Sequence, residues 1–308
     1  MDLKQLRTFR AVAELGSLSK ASDRLRIAQP ALSRQIKLLE HELRTELFLR
    51  NGRGMMLTNT GQMLLDRTAD LVRQFEQARD DIQSAGSAPA GRVVLGLVPT
   101  VSTVLSVRLA RRVLEMLPGI SLCIVESYGG HLIEWLHRGT IDLAIIYGPA
   151  VDVHVSAVPL GHDTVVAIGP PGSGLNERGE VDMEWLVEQK FVLPSQSHGL
   201  RALIERAAAR KNAVLNVRME ADSYRVLTSL VEDGIGYTLL PPSSVRQELM
   251  SGRLESAAIV RPTIKRELIL ASPTGRPLSI ASSAIVTTLF SETKLLSREG
   301  VWDVTLSK

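Results

Sequence analysis

Cysteine is almost absent from this sequence of 308 residues. Cys123 stands alone, which excludes an intramolecular disulfide and a cysteine-rich zinc site. Long apolar runs are missing as well: no segment approaches the ~20 apolar residues that a membrane-spanning helix needs. The opening Met1-Asp2-Leu3-Lys4-Gln5 lacks the apolar core of a secretion signal, so the expected location is the cytoplasm, with no membrane partner. Catalytic signatures are equally scarce. There is no Gly-x-x-x-x-Gly-Lys-Ser/Thr phosphate loop and no His-Glu-x-x-His pair. Gly172-Ser173-Gly174 falls in a Pro/Gly-rich loop, not at a strand-to-helix elbow. The six histidines, at 41, 131, 137, 154, 162 and 198, lack metal-ligand spacing. Cys123 lies in an apolar strand, where a buried, inert thiol is expected. No cofactor, metal or catalytic residue is therefore expected.

What is present suits a soluble globular chain of about two domains, with 44% hydrophobic and 22% charged residues. The net charge of +3 is unevenly spread. Residues 1–53 hold 11 Lys/Arg against 6 Asp/Glu, a balance of +5, whereas residues 54–90 hold 3 against 5. A basic amino-terminal segment points to an anionic partner or to a solvated basic surface.

That segment reads as three helices and a hairpin. Leu3, Leu6, Phe9 and Ala13 recur at helical spacing until Gly16. Ser17 is a plausible N-cap for a second helix carrying Leu18, Ala21 and Leu25. A third helix opens at Gln29-Pro30, where proline costs no hydrogen bond. Leu32, Ile36, Leu39 and Leu43 form its buried stripe, and Ser33, Arg34 and Lys37 its polar side. Leu47-Phe48-Leu49-Arg50 and Met55-Met56-Leu57 read as two short strands around the basic tip Asn51-Gly52-Arg53-Gly54. A helix-turn-helix presents such short polar and basic side chains to base edges. Gln29 and Ser33 lie near the amino end of the third helix, Arg34 can reach guanine or phosphate, and Lys37 suits phosphate. Arg50 and Arg53 would reach the DNA backbone or a minor groove from the hairpin.

From Thr58 to about Ala85 a single helix is expected, with Leu64, Thr68, Leu71, Phe75, Ala78 and Ile82 alternating by four and three. At ~28 residues it would be about 42 Å long, and the head is too small to cover its stripe. The expected partner is a second copy, through Leu64, Leu71, Phe75, Ala78 and Ile82; packing on the chain's own body is the alternative. The small residues of 86–91 form a linker. Beyond it, strands at 93–98, 120–126 and 141–147 alternate with helices at 102–117 and 129–138, an order that implies a parallel sheet with helices on both faces. A second series follows: strand 191–193, helix 198–210, strand 216–220, helix 222–233 and strand 236–240. Two such units suggest two lobes with a cleft between them.

Specific runs resemble the LysR-type transcriptional regulators. They are Gly16-Ser17-Leu18-Ser19-Lys20-Ala21-Ser22, Gln29-Pro30-Ala31-Leu32-Ser33-Arg34-Gln35-Ile36, Leu47-Phe48, Arg53-Gly54 and Leu57-Thr58 with Thr60-Gly61. The resemblance runs ungapped from about residue 3 to 66. It continues more loosely through Gly139-Thr140-Ile141-Asp142-Leu143-Ala144-Ile145 and Asp233-Gly234-Ile235-Gly236. Within the family, Ile27-Ala28-Gln29-Pro30 and Ala144-Ile145-Ile146-Tyr147 are most similar to the nitrogen assimilation control type. The resemblance implies an α/β fold class with an all-α winged helix-turn-helix head (1–58), a linker helix and hinge (59–90), and a two-lobed effector domain like a periplasmic binding protein (91–308). Lobe one would hold about 91–160 and 267–308, and lobe two about 161–266. It further implies a homodimer or dimer of dimers on double-stranded promoter DNA, a small-molecule effector, and RNA polymerase as a further candidate partner. Residues matching Gln29, Pro30, Ser33, Arg34 and Arg53 tend to face DNA in the family.

Ligands of open α/β sheets bind beyond strand carboxyl ends. Thr100, Val101 and Ser102 follow the first strand of the body, where backbone amides and hydroxyls suit a carboxylate; alternatively Thr100 or Ser102 caps the helix. Matching strand ends bring Ser127, Gly129 and Tyr147 from the first lobe and Ser195, His198 and Ser223 from the second. The resemblance places an arginine near Tyr147 for dianionic ligands. Its absence points to a carboxylate, aromatic or amino-acid-like effector, or to none, with Arg201 either replacing the charge or facing solvent. A solute-binding protein would account for the body but not the head, and an enzyme lacks any catalytic constellation.

Overall fold

The computed structural model describes residues 1 to 307 except 52, 53, 85, 149, 150, 151, 153, 197 and 276. The chain folds as two compact units, the first covering Met1–Ala85 with Arg138–Thr140 and the second Gly86–His137 with Ile141–Lys308.

The first unit begins with α1 (Leu3–Leu15), whose N-cap Asp2 and Gln5 form a reciprocal capping box and whose C-cap Gly16 is left-handed at φ 60°. Ser17 caps α2 (Leu18–Leu25) by accepting from the Lys20 amide. In α3 (Gln29–Leu43) proline occupies the first turn, and Leu32, Ile36 and Leu39 are buried, each worth roughly 1.5–3 kcal/mol. Leu43 ends the helix exposed, because the core closes one turn earlier. The hairpin of β1 (Phe48–Asn51) and β2 (Gly54–Leu57) pairs antiparallel. A side chain at Gly54 would stand 2.4 Å from the Gly16 carbonyl oxygen, which the neighbouring Met55 amide bonds at 2.8 Å. Thr58 then accepts the Gly61 amide and starts α4 (Asn59–Ser84), and a side chain at Gly61 would strike the Leu47 carbonyl. These close approaches explain both glycines. The head core gathers Phe9, Val12, Ala21, Leu32, Ile36, Leu39, Leu47 and Phe48.

In the second unit, β3 (Gly91–Leu97), α5 (Pro99–Met116), β4 (Ile120–Glu126), α6 (Gly129–His137) and β5 (Leu143–Tyr147) form the first α/β series. Strand β3 lies between β4 and β5, all parallel. The 15-residue strand β6 (Val155–Gly169) then leaves for the second lobe. There follow α7 (Leu175–Arg178), β7 (Glu180–Val181), α8 (Met183–Glu188), β8 (Lys190–Leu193), α9 (Gly199–Ala209), β9 (Asn216–Glu220), α10 (Tyr224–Glu232), β10 (Thr238–Leu240), α11 (Arg246–Met250) and β11 (Glu255–Ile259). The chain returns along β12 (Ile264–Pro273) to α12 (Ile280–Arg298) and β13 (Val304–Leu306). Strand β12 pairs antiparallel with both β5 and β6, so the sheet is mixed rather than parallel throughout. Two apolar cores result. Leu160 and Leu268 belong to the first, and Val165 and Ile264 to the second. The two long strands therefore pass from one core to the other at Gly161–Asp163 and Lys265–Glu267. Cys123 is half-buried on β4, less enclosed than its apolar run suggests.

Candidate DNA-reading face and inter-lobe cleft

Turning Leu32, Ile36 and Leu39 into the head core forces the other side of α3 outward. Gln29, Pro30, Arg34 and Lys37 are exposed there, and Ser33 is half-exposed on the same side. Ser17 serves as the α2 cap, its Oγ 3.4 Å from the Lys20 amide, so its hydroxyl is engaged locally. Arg50 belongs to β1 by its backbone, and Arg53 lies outside the described residues. The face is thus short-chained and polar at the start of α3 and cationic one turn further on, a pattern suited to base edges and phosphates together.

The α4 stripe divides in two. Leu64 and Leu65 pack against the head core, while Thr68 and Val72 are buried. This corrects the expectation that Leu64 is open with the rest. Leu71, Phe75, Ala78 and Ile82 remain exposed, and the three large ones are 57%, 52% and 76% accessible. The head thus covers the first half of the stripe and leaves the second.

In the second unit a cleft opens at the strand ends, lined by Pro99, Thr100, Tyr128, Tyr147, Pro194, His198, Leu200, Ala221, Asp222, Tyr224, Leu227 and Leu240. Of the predicted residues, Thr100, Tyr147 and His198 line it. The others neighbour it with their polar atoms engaged or turned away. Val101 is buried in the first core. The Ser102 hydroxyl bonds Ser106, Ser127 bonds His131, and Ser223 caps α10 toward the Val226 amide. Gly129 opens α6, and the Ser195 amide donates to Asp222 Oδ1 at 2.8 Å. Neither Thr100 nor Ser102 caps α5; its N-cap is Val98, with no side-chain bond. The free volume is about 20 Å³, space for roughly one water molecule. Tyr128 and His198 meet edge-to-face across it, with ring centroids 4.5 Å apart.

The floor holds a cation that sequence reasoning missed. Arg266 on β12 lies opposite Asp163 on β6 in the strand register, where the two strands pass between the cores. Its Nε donates to Asp163 Oδ1 at 2.7 Å and its Nη2 to Oδ2, with both side chains 1% exposed. Nη1 donates to the Tyr147 hydroxyl at 2.7 Å and to Thr100 Oγ1 at 3.2 Å, and the guanidinium lies 4.4 Å from the Tyr147 ring centre. Burial raises the Tyr147 pKa, so the phenol keeps its proton. Thr100 and Tyr147 also bond each other. One of their two hydroxyl hydrogens can lie between the oxygens, and no acceptor among the described residues takes the second.

Arg201 resolves differently from either expectation. It is buried, donating to Glu205 at 2.7 Å, Glu220 at 3.2 Å and the Pro194 carbonyl at 3.0 Å, so it ties α9 to β9 and faces neither ligand nor solvent. His198 Nδ1 accepts the Leu200 amide at 3.1 Å, and burial lowers its pKa against the pull of Asp222. The ring is therefore neutral near pH 7 and carries its proton on Nε2.

Residues 3–62 match the model for "bacterial regulatory helix-turn-helix protein, lysR family", and residues 86–293 match the "LysR substrate binding domain". The chain belongs to the LysR family of transcriptional regulators. The nitrogen assimilation regulatory protein nac of Klebsiella aerogenes is 29% identical to this LysR-type regulator, over 97% of the chain and 98% of that protein. BbuR of Bordetella bronchiseptica is also 29% identical, over 84% and 80%. Among solved structures, a full-length OxyR variant of Pseudomonas aeruginosa has a TM-score of 0.75 at 21% identity, covering 100% of the chain and 99% of its own. CbnR in complex with its target DNA has 0.70 at 17%, covering 96% and 99%. As a LysR-type regulator the chain joins a DNA-binding head to a body that takes a small-molecule effector.

Proposed function

We propose that this regulator reads promoter DNA through the outward side of α3, with Gln29 and Ser33 at base edges, Pro30 setting the helix start, Arg34 on guanine or phosphate and Lys37 on phosphate. Ser17 approaches the backbone beside them, and Arg50 and Arg53 do so from the hairpin. The observation that carries the reading is the division of α3 into a buried Leu32-Ile36-Leu39 row and an exposed polar row. The exposed part of the α4 stripe pairs two such heads, and pairs assemble further into a dimer of dimers. The protein works in the cytoplasm, and its effect falls on RNA polymerase at the same promoter.

The inter-lobe cleft takes the effector, with Thr100, Tyr147 and His198 touching it and Val101, Ser102, Ser127, Gly129, Ser195 and Ser223 shaping its surroundings. Because Asp163 already matches Arg266, the described lining residues supply no spare positive charge, which favours a weakly charged or amino-acid-like molecule over a dianion. The test is specific binding to labelled DNA from upstream of its own gene and neighbouring operons. A lost bidentate base contact is worth about 1–3 kcal/mol, so Ser33→Ala/Arg34→Ala should weaken specific binding by about five- to 150-fold. Equal affinity of the variant and the natural protein for every such fragment sinks the assignment.

A further inference from the structure

Three of the chain's four tyrosines, Tyr128, Tyr147 and Tyr224, line the cleft, and beside them stands a carboxylate that no motif marks. Asp222 precedes the Ser223 cap of α10 and is the one formally charged side chain among the described lining residues. It anchors the Ser195 amide through Oδ1. The Ser195 hydroxyl bonds the same carboxylate, and with about four acceptor positions Asp222 can still receive a ligand. Across the cavity, the Thr100–Tyr147 pair holds one hydroxyl hydrogen that needs an acceptor. Arg266 behind that pair is matched by Asp163, so a ligand entering here meets Asp222 as its uncompensated charge. Aromatic faces add attraction for a cation.

We infer that Asp222 makes the cleft select an effector carrying a protonated amine, with a carbonyl or carboxylate oxygen of the same molecule toward the Thr100 and Tyr147 hydroxyls. Such a molecule is amino-acid-like. A dicarboxylate would set two negative charges against Asp222, with no unmatched cation among the described lining residues to receive them. The inference rests on the cleft being the effector site and on its widening beyond its present one-water space to admit a ligand, and Asp222 would be the residue that decides specificity within it.

The experiment is a thermal-shift titration of the purified full chain with matched probes: phenylalanine, tyrosine and leucine, the carboxylic acid lacking the amine for each, and phthalate as a dianion. Amino acids should stabilise the protein, with affinities about tenfold or more above their des-amino partners, and phthalate should give no shift. Asp222→Asn keeps an oxygen for the Ser195 amide, so it should melt like the natural protein without ligand while losing the preference for amines. Asp222→Glu should retain that preference. Des-amino acids or phthalate binding as well as amino acids, or an unchanged preference in Asp222→Asn, overturns the inference and leaves the cleft as an effector site. No shift with any probe overturns both.

Discussion

Replacing Asp163 by asparagine keeps the shape of the side chain and removes the charge facing Arg266. The guanidinium is 1% exposed, and two of its bonds go to this carboxylate. Water cannot take over, and the neutral amide offers one acceptor where two were used. Breaking one side of a buried pair costs about 3–5 kcal/mol. A unit of this size loses roughly 2–4 °C per kcal/mol, so Asp163→Asn should lower the melting temperature of the body by about 6–20 °C. Arg266→Met should cost a similar amount, since it strands the carboxylate and removes the donor to Thr100 and Tyr147. Changing both together, as Asp163→Leu/Arg266→Met, leaves no orphaned charge and should recover most of the loss, because an apolar pair of similar volume often substitutes for a buried ion pair. Calorimetry on the four proteins decides it. A single variant melting within about 2 °C of the natural protein, or a double variant as unstable as the sum of the singles, refutes the view that charge matching holds this junction.

On α4, Leu71→Asp puts a charge into a row whose large members are more than half accessible. Covering each should contribute about 1–2 kcal/mol per copy, so the variant should sediment at half the mass of the natural assembly, and a monomeric natural protein would refute the pairing. His198 provides a pH test. Burial holds its pKa below the ordinary 6.5, so the unfolded chain takes up this proton first. Stability from the neutral ring is complete above about pH 6.5 and is lost as pH falls toward the folded value. Thermal melts of His198→Gln should show a shallower decline on acidification than the natural protein, and parallel curves would contradict the assignment.

The head was legible because its signals are local. Gly16, Ser17 and Pro30 fall where the structure puts a C-cap, an N-cap and a first helical turn, and the α3 stripe fails only at Leu43. The body was legible as alternating strands and helices, but its two longest strands were not. Strand β6 contains Pro159 and Gly161, residue types that disfavour strand interiors. Lys265-Arg266-Glu267 is three charged residues in a row, yet Arg266 is buried by pairing with a residue 103 positions away. No periodicity within either segment carries that information. The residues picked by the strand-end rule lie within about one position of those that line the cleft. Ser127, Gly129 and Ser223 flank Tyr128, Asp222 and Tyr224, which are the side chains that line it. Which of two adjacent residues points inward depends on how each helix turns away from its strand, and that is set by packing.

The division of the α4 stripe makes the helix a lever. Its first half is fastened to the head core through Leu64 and Leu65, and a single residue, Thr58, joins it to the hairpin. No slack lies between the reading face and the exposed row, which are parts of one body about 39 Å long on the helix side. Swivelling the head on its own stem would have to break this packing. If the exposed row pairs two stems as proposed, a roll or tilt where they meet would be passed on to α3 of each head. Such a pair would then vary the angle and span at which it meets the double helix, while the side chains offered to the bases stay fixed.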